Sequence, residues 1–185
     1  MQFRSLRRAF AGCQLVQGNL EITNMGRHHD LSFLKSIQEV SGYVLVALNE
    51  VEEIPLENLH LIRGARLYMG RYALAVMVNY NKAEGGRVRI GLQHLNLHKL
   101  TEILIGGVYI TKNRYLCHVN TIDWNDIVSP RSLVHIEMDN TTVCECGNVL
   151  LVVWLFGVSL LVYFSQLFSH SMAIPALLLH LQRVN

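Results

Sequence analysis

The sequence predicts a mainly β fold, a right-handed β-helix or leucine-rich-repeat-like solenoid, followed by an apolar helical tail. Three observations predict it. First, one short pattern recurs, in which an apolar ladder leads to a glycine and a β-prone run follows. Ile37 and Val40 precede Gly42, with Tyr43-Val44-Leu45-Val46-Ala47-Leu48 after it; Leu56, Leu59 and Ile62 precede Gly64, with Arg66-Leu67-Tyr68 after it. Second, Gly18, Gly42 and Gly64 are spaced by 24 and 22 residues, and Gly106-Gly107 follows about two repeats on. A unit this short cannot bury its own apolar face and is stable only when stacked on neighbours. Third, charge nearly vanishes beyond Cys146, where Arg183 is the only formally charged side chain.

Taken in order, residues 1–12 set Arg4, Arg7 and Arg8 beside Leu6 and Phe10, the spacing of a short amphipathic helix. Its basic face reads as solvated, with contact to anionic lipid as the alternative. Residues 14–23 (QLVQGNLEIT) alternate around Gly18 and read as a strand. Residues 24–30 form a polar loop, and Leu31, Phe33, Leu34 and Ile37 lead into the next repeat. Residues 72–78 supply a further strand and 79–86 (NYNKAEGG) a long turn. A glycine at each strand start permits a backbone angle that β-branched residues resist. Each repeat is therefore expected to give one strand to a parallel sheet. An α/β arrangement fits less well, because the gaps seldom hold a helix and two loops. Residues 116–128 (LCHVNTIDWNDIV) are expected to close the stack, with Trp124 capping the last repeat.

Apolar residues make up 51% of the 185 and the net charge is +2, so a sizeable core is available and no nucleic-acid footprint appears. Cys13, Cys117, Cys144 and Cys146 include no CxxC pair. The first residues lack the apolar run of a secretory signal peptide. Residues 149–168 (VLLVVWLFGVSLLVYFSQLF) carry no charge over 20 residues, enough for a transmembrane helix. The alternative is a tail translated from a truncated or alternatively spliced message. Asn140-Thr141-Thr142 is an N-glycosylation sequon. His94 and His98 have helix-like metal spacing but no third ligand nearby, and Glu50, Glu52, Glu53 and Glu57 read as a solvated turn. No metal or other cofactor is expected.

The segments VQGNLEIT, DLSFLKSIQEVSGYVLVALN, IPLENLHLIRG, YALAVMVNY, LTEILIGGVYI and TIDWNDIV cover about two thirds of the chain. Together they resemble the first receptor L domain of the epidermal growth factor receptor (ErbB) family of receptor tyrosine kinases. Both the epidermal growth factor receptor and the neuregulin-binding branch remain open. The resemblance implies a right-handed β-helix that shares a growth-factor site with a second L domain. It divides the chain into a non-family segment 1–12, an L domain with the start of a cysteine-rich region over 13–146, and a hydrophobic tail over 147–185. It implies ligand contacts at Asn24, Leu48, Met69, Met77 and Val78. Strand alternation alone leaves open whether Leu48 and Met77 face the core or a ligand. It also implies a Cys117–Cys144 disulfide, and a Cys13 without the partner that the family's first strand supplies. Where the growth-factor receptor has an acidic residue, Met69 stands here.

The sequence shows no kinase Gly-rich loop, HRD or DFG motif, so activity by binding rather than catalysis is expected. The expected function is that of a ligand-binding and receptor-interaction module in a truncated receptor, extracellular and anchored by a single span. Its expected partners are an epidermal-growth-factor-like or neuregulin-like polypeptide, and full-length receptors of the same family. The alternative is a truncated or mis-spliced product with no independent activity, destabilised by the missing first strand.

Overall fold

The apolar runs fold as short strands that pair in parallel, each with the equivalent strand of the next repeat. The computed structural model describes residues 3–81, 91–138 and 144. The chain starts with α1 (Phe3–Phe10), then β1 (Leu15–Val16), β2 (Leu20–Thr23) and a 3-10 helix (Ser32–Ser36). β3 (Glu39–Val40), β4 (Val44–Ala47), β5 (Glu53–Ile54), β6 (Leu61–Ile62) and β7 (Tyr72–Met77) follow. β8 (His94–Leu95), β9 (Glu102–Ile103) and β10 (Gly107–Asn113) come next. Two 3-10 turns (Val119–Thr121 and Trp124–Asp126) precede β11 (Val134–Met138). One sheet runs β1-β3-β6-β9, a second β11-β10-β7-β4-β2, and β5 pairs with β8.

The first four repeats therefore each give a strand on either side of a corner, and β5 and β8 add a third strand to two of them, rather than the single strand expected. Residues 14–23 are not one strand but two, because the corner at Gly18 (φ +123°) redirects the chain between β1 and β2. The corner glycines also differ in their reason. Gly64 (φ +69°) needs both the left-handed angle and the missing side chain, since a Cβ there would strike the Ile105 carbonyl. Gly42 has no positive φ; a side chain there would strike Asn19 and the Gly18 carbonyl of the repeat before. Close stacking, not backbone angle, selects glycine at that position.

Between the sheets lies one core. Leu20, Ile22, Val44, Val46, Leu74, Val76, Val108 and Ile110 enter it from the longer strands, and Val40, Ile62 and Ile103 from the short ones. Each such side chain contributes about 1.5–3 kcal/mol by leaving water. Every residue of β4 is buried, as are all but the last of β7, because the outer face of the sheet is also partly covered. Strands covered on both faces read as continuous apolar runs rather than alternating ones.

At the first end, α1 lays Leu6 fully into the core. At the other end Trp124 is buried and its indole N–H donates to the Val119 carbonyl at 2.8 Å. The stack does not finish there, however. The chain runs on into β11, which adds to β10 in parallel, Val108 opposite Val134. A disulfide joins Cys117 to Cys144 across 27 residues, Cα to Cα 5.6 Å, and so ties the segment that contains β11 back to the fold. Cys13 is free.

Cys146, the sequon at Asn140 and the apolar run 149–168 lie outside the described residues. Among the described residues no helix is long and apolar enough to cross a membrane.

Candidate ligand-binding face

The outer face of the five-stranded sheet is unusual for its apolar cover. Leu45, Ala47 and Ala75 are buried there beneath Tyr43, Tyr68, Met77 and Tyr109. Tyr43 and Tyr68 meet edge to face with centroids 5.9 Å apart. Tyr72, Tyr109 and His135 follow across neighbouring strands, at 4.8 and then 5.3 Å. Such rings offer large contact area with few rotatable bonds, a composition common at binding surfaces.

A row of left-handed residues borders this face. A residue of positive φ directly follows β2, β4 and β7, Asn24 (57°), Leu48 (59°) and Val78 (54°), and Lys112 (53°) is the last but one of β10. The four are in register, since Thr23 pairs with Ala47, Ala47 with Met77 and Met77 with Thr111. Asparagine accepts this conformation readily, but a β-branched valine does not. Its cost is on the order of 1–3 kcal/mol and must be offset nearby.

The offset lies one residue further along each strand end. Asn49, Asn79 and Asn113 follow Leu48, Val78 and Lys112, and all three are buried. Their amides stack as a ladder. Asn49 Nδ2 donates to Asn79 Oδ1, and Asn79 Nδ2 to Asn113 Oδ1, both at 2.9 Å. The remaining amide hydrogens reach carbonyls of the strand before, Ile22 at 2.8 Å, Val46 at 2.9 Å and Val76 at 2.9 Å. Asn49 Oδ1 accepts the Met25 amide at 2.9 Å, which extends the ladder to the first repeat. Each inward asparagine follows a residue in the left-handed region, Leu48 and Lys112 exposed and Val78 half-buried.

The five residues singled out in the sequence fall as follows. Asn24 is exposed and Leu48 is 54% exposed, both in the row. Val78, in the same row, is half-buried. Met77 is half-buried on the outer face and its sulfur accepts the Tyr68 hydroxyl at 3.8 Å. Met69 is 72% exposed at the tip of the tight Tyr68–Tyr72 turn, itself at φ +51°. Tyr68 thus links the Met69 turn to Met77. Sequence reasoning gave no site role to Tyr43, Leu45, Tyr68 or Tyr109 and read Lys112 as an ordinary surface charge. The signal was present as Leu-Asn, Val-Asn and Lys-Asn closing three β-prone runs.

One charged contact supports the face. The Tyr43 hydroxyl donates to the Glu21 carboxylate at 2.5 Å. This hydrogen bond, then partial burial, raises the Tyr43 phenol above its ordinary pKa. With the folded value raised, the contribution to stability is full below the unfolded value of about 10 and is lost as pH rises through the folded one. Ultraviolet titration is expected to show the Tyr43 phenol ionising at lower pH in Glu21→Gln than in the parent. Coincident titration curves would remove the role given to Glu21.

Parallel sheets paired repeat to repeat, corner glycines and a paired cysteine fit a receptor L domain. The family model described as Receptor L domain matches residues 12–128, and the chain belongs to that family. Its L domain is of the ErbB type. The chain is 50% identical to receptor tyrosine-protein kinase erbB-4 of Homo sapiens over 146 residues, 77% of this chain and 11% of that receptor. It is 52% identical to the epidermal growth factor receptor of Gallus gallus over 128 residues, 68% of this chain and 17% of the relative. Against receptor tyrosine-protein kinase erbB-2 of Mus musculus the identity is 42% over 148 residues, 76% and 12% of the two chains. The chain thus spans between 11% and 17% of the length of these relatives.

Proposed function

We propose that this chain is the ligand-binding module of a growth-factor receptor and acts by binding, not by catalysis. The outer sheet face carries the reading: an apolar floor of Leu45, Ala47 and Ala75, bordered by side chains that a strained row holds toward solvent. Leu48, Met77 and Val78 would be its apolar anchors, with Asn24 and Met69 flanking them. The two sheets and their corners are read as the walls of one right-handed β-solenoid. Its occupant would be an epidermal-growth-factor-like or neuregulin-like polypeptide, and full-length receptors of this family are further partners. Placement outside the cell, glycosylation at Asn140 and a membrane anchor at 149–168 belong to the same reading.

The test is titration of labelled growth factors of both types against the full chain, with Leu48→Glu beside it. A charge at an exposed apolar anchor is expected to weaken binding at least about tenfold, a cost of about 1.4 kcal/mol. The melting temperature should stay within a few degrees, because Leu48 is largely exposed. A folded parent that binds neither type would overturn the proposal and favour a product without independent activity.

A further inference from the structure

The positive charge of this chain sits in α1. Three of its 16 basic residues and none of its 14 acidic ones fall within residues 1–12, so the remainder carries one more acid than base. Arg4, Arg7 and Arg8 lie at i, i+3 and i+4 and are all exposed. This spacing puts neighbouring side chains about 5–6 Å apart on one helix face. The opposite face is fixed. Leu6 is fully buried, Phe3 stacks on His29 at 4.4 Å and meets Phe33, and Phe10 packs on the core.

Two cations elsewhere are matched by acids, Lys35 with Glu57 at 3.1 Å and Arg63 with Glu39, while exposed Arg66, Lys99 and Arg131 lie scattered over the fold rather than on one helix face. Among the described residues no ion pair engages Arg4, Arg7 or Arg8. Asp30, within electrostatic reach of Arg7, already accepts the Ser32 amide at 2.9 Å. Exposed Arg27 lies in the loop that also carries His29, against which the helix packs.

We propose that this face binds a sulfated polysaccharide of the glycosaminoglycan type. Planar guanidinium groups pair with tetrahedral oxyanions through two parallel hydrogen bonds, which a row of lysines would not do as well. A polymer with repeated sulfates can meet three guanidinium groups carried side by side on one helix. A lipid surface fits less well. Interfacial helices insert their apolar face, and here Leu6, Phe3 and Phe10 are already spent on the core. The growth-factor reading rests on other residues, Leu48, Met77 and Val78 above all, so the two proposals can fail separately.

The test is binding of the full chain to immobilised heparin at about 0.15 M salt, with a salt series. The parent is expected to bind, and Arg4→Gln/Arg7→Gln/Arg8→Gln to lose at least about tenfold with a shallower salt slope. Arg66→Gln/Lys99→Gln/Arg131→Gln removes the same charge from other exposed positions and is expected to lose less than about threefold. Equal losses in the two triples would show charge without a site and overturn the proposal. So would a parent that does not bind heparin, or one whose α1 arginines matter only for phosphatidylserine vesicles. Melting curves of both triples establish that each is folded as the parent is.

Discussion

Asn79→Ala is expected to lower the melting temperature by about 15 °C, a cost of about 4 kcal/mol. The side chain is fully buried and makes contacts in both directions along the stack. Its removal takes the acceptor from the Asn49 amide at 3.1 Å and from Asn49 Nδ2 at 2.9 Å. It also strips the side-chain donor from the Val46 carbonyl and from Asn113 Oδ1, both at 2.9 Å, though Asn113 Oδ1 keeps the Asn79 backbone N–H at 3.2 Å. Each buried group left unpaired costs about 1–3 kcal/mol, and an alanine returns none of it. Val78 adds to the effect. Its left-handed backbone stays strained while the hydrogen bonds that offset that strain are lost, so none of the cost at Val78 is recovered unless the strand end rearranges. Asn58, only half-buried and bonded to Lys99 and to the Lys35 carbonyl, is the comparison: Asn58→Ala should shift stability by about 1 kcal/mol at most. Thermal melts followed by circular dichroism decide it. A shift of only a few degrees for Asn79→Ala would mean that the ladder does not hold the row.

The repeated glycines made the parallel β architecture legible in the sequence, because close stacking leaves no room for a side chain at Gly42 or Gly64. What the spacing could not give was the corner. Two-residue strands such as β1 and β3 have too few residues for period-2 alternation to register. β11 was missed for another reason. It is an edge strand whose inward residues are only half-buried, so Val134–Met138 reads as ordinary surface. The Cys117–Cys144 bridge came from family resemblance, since four cysteines alone allow several pairings. For the candidate face, the resemblance named residues along the row, but the aromatic floor beside them was not read. A tyrosine in a strand looks the same on either face until the partner strands are placed. The ladder asparagines were legible only in retrospect, because Asn after a β-prone run also reads as a turn.

Removing the disulfide by Cys117→Ser/Cys144→Ser is expected to cost about 3–4 kcal/mol. The estimate is the loop entropy regained by the unfolded chain when a 27-residue closure is opened. The loss should be local first. The closure spans Trp124, Val128, whose bridge to Ile103 extends the short-strand sheet, and all of β11. β11 has a single described neighbour, β10, so it has least to hold it once the tie is gone. Amide hydrogen exchange should therefore rise across Val134–Met138 before it rises in β4 or β7, which have strands on both sides. Reductant should reproduce the loss in the parent and leave the double-serine variant unmoved. Cys13→Ser should change little, since its sulfur is free and donates only to the nearby Leu15 carbonyl at 3.1 Å. A parent indifferent to reductant would show that β11 is held by packing alone. If the expected loss is found, stability depends on an oxidising compartment. The redox state of Cys117 in protein recovered from cells then tests the extracellular placement without reference to any ligand.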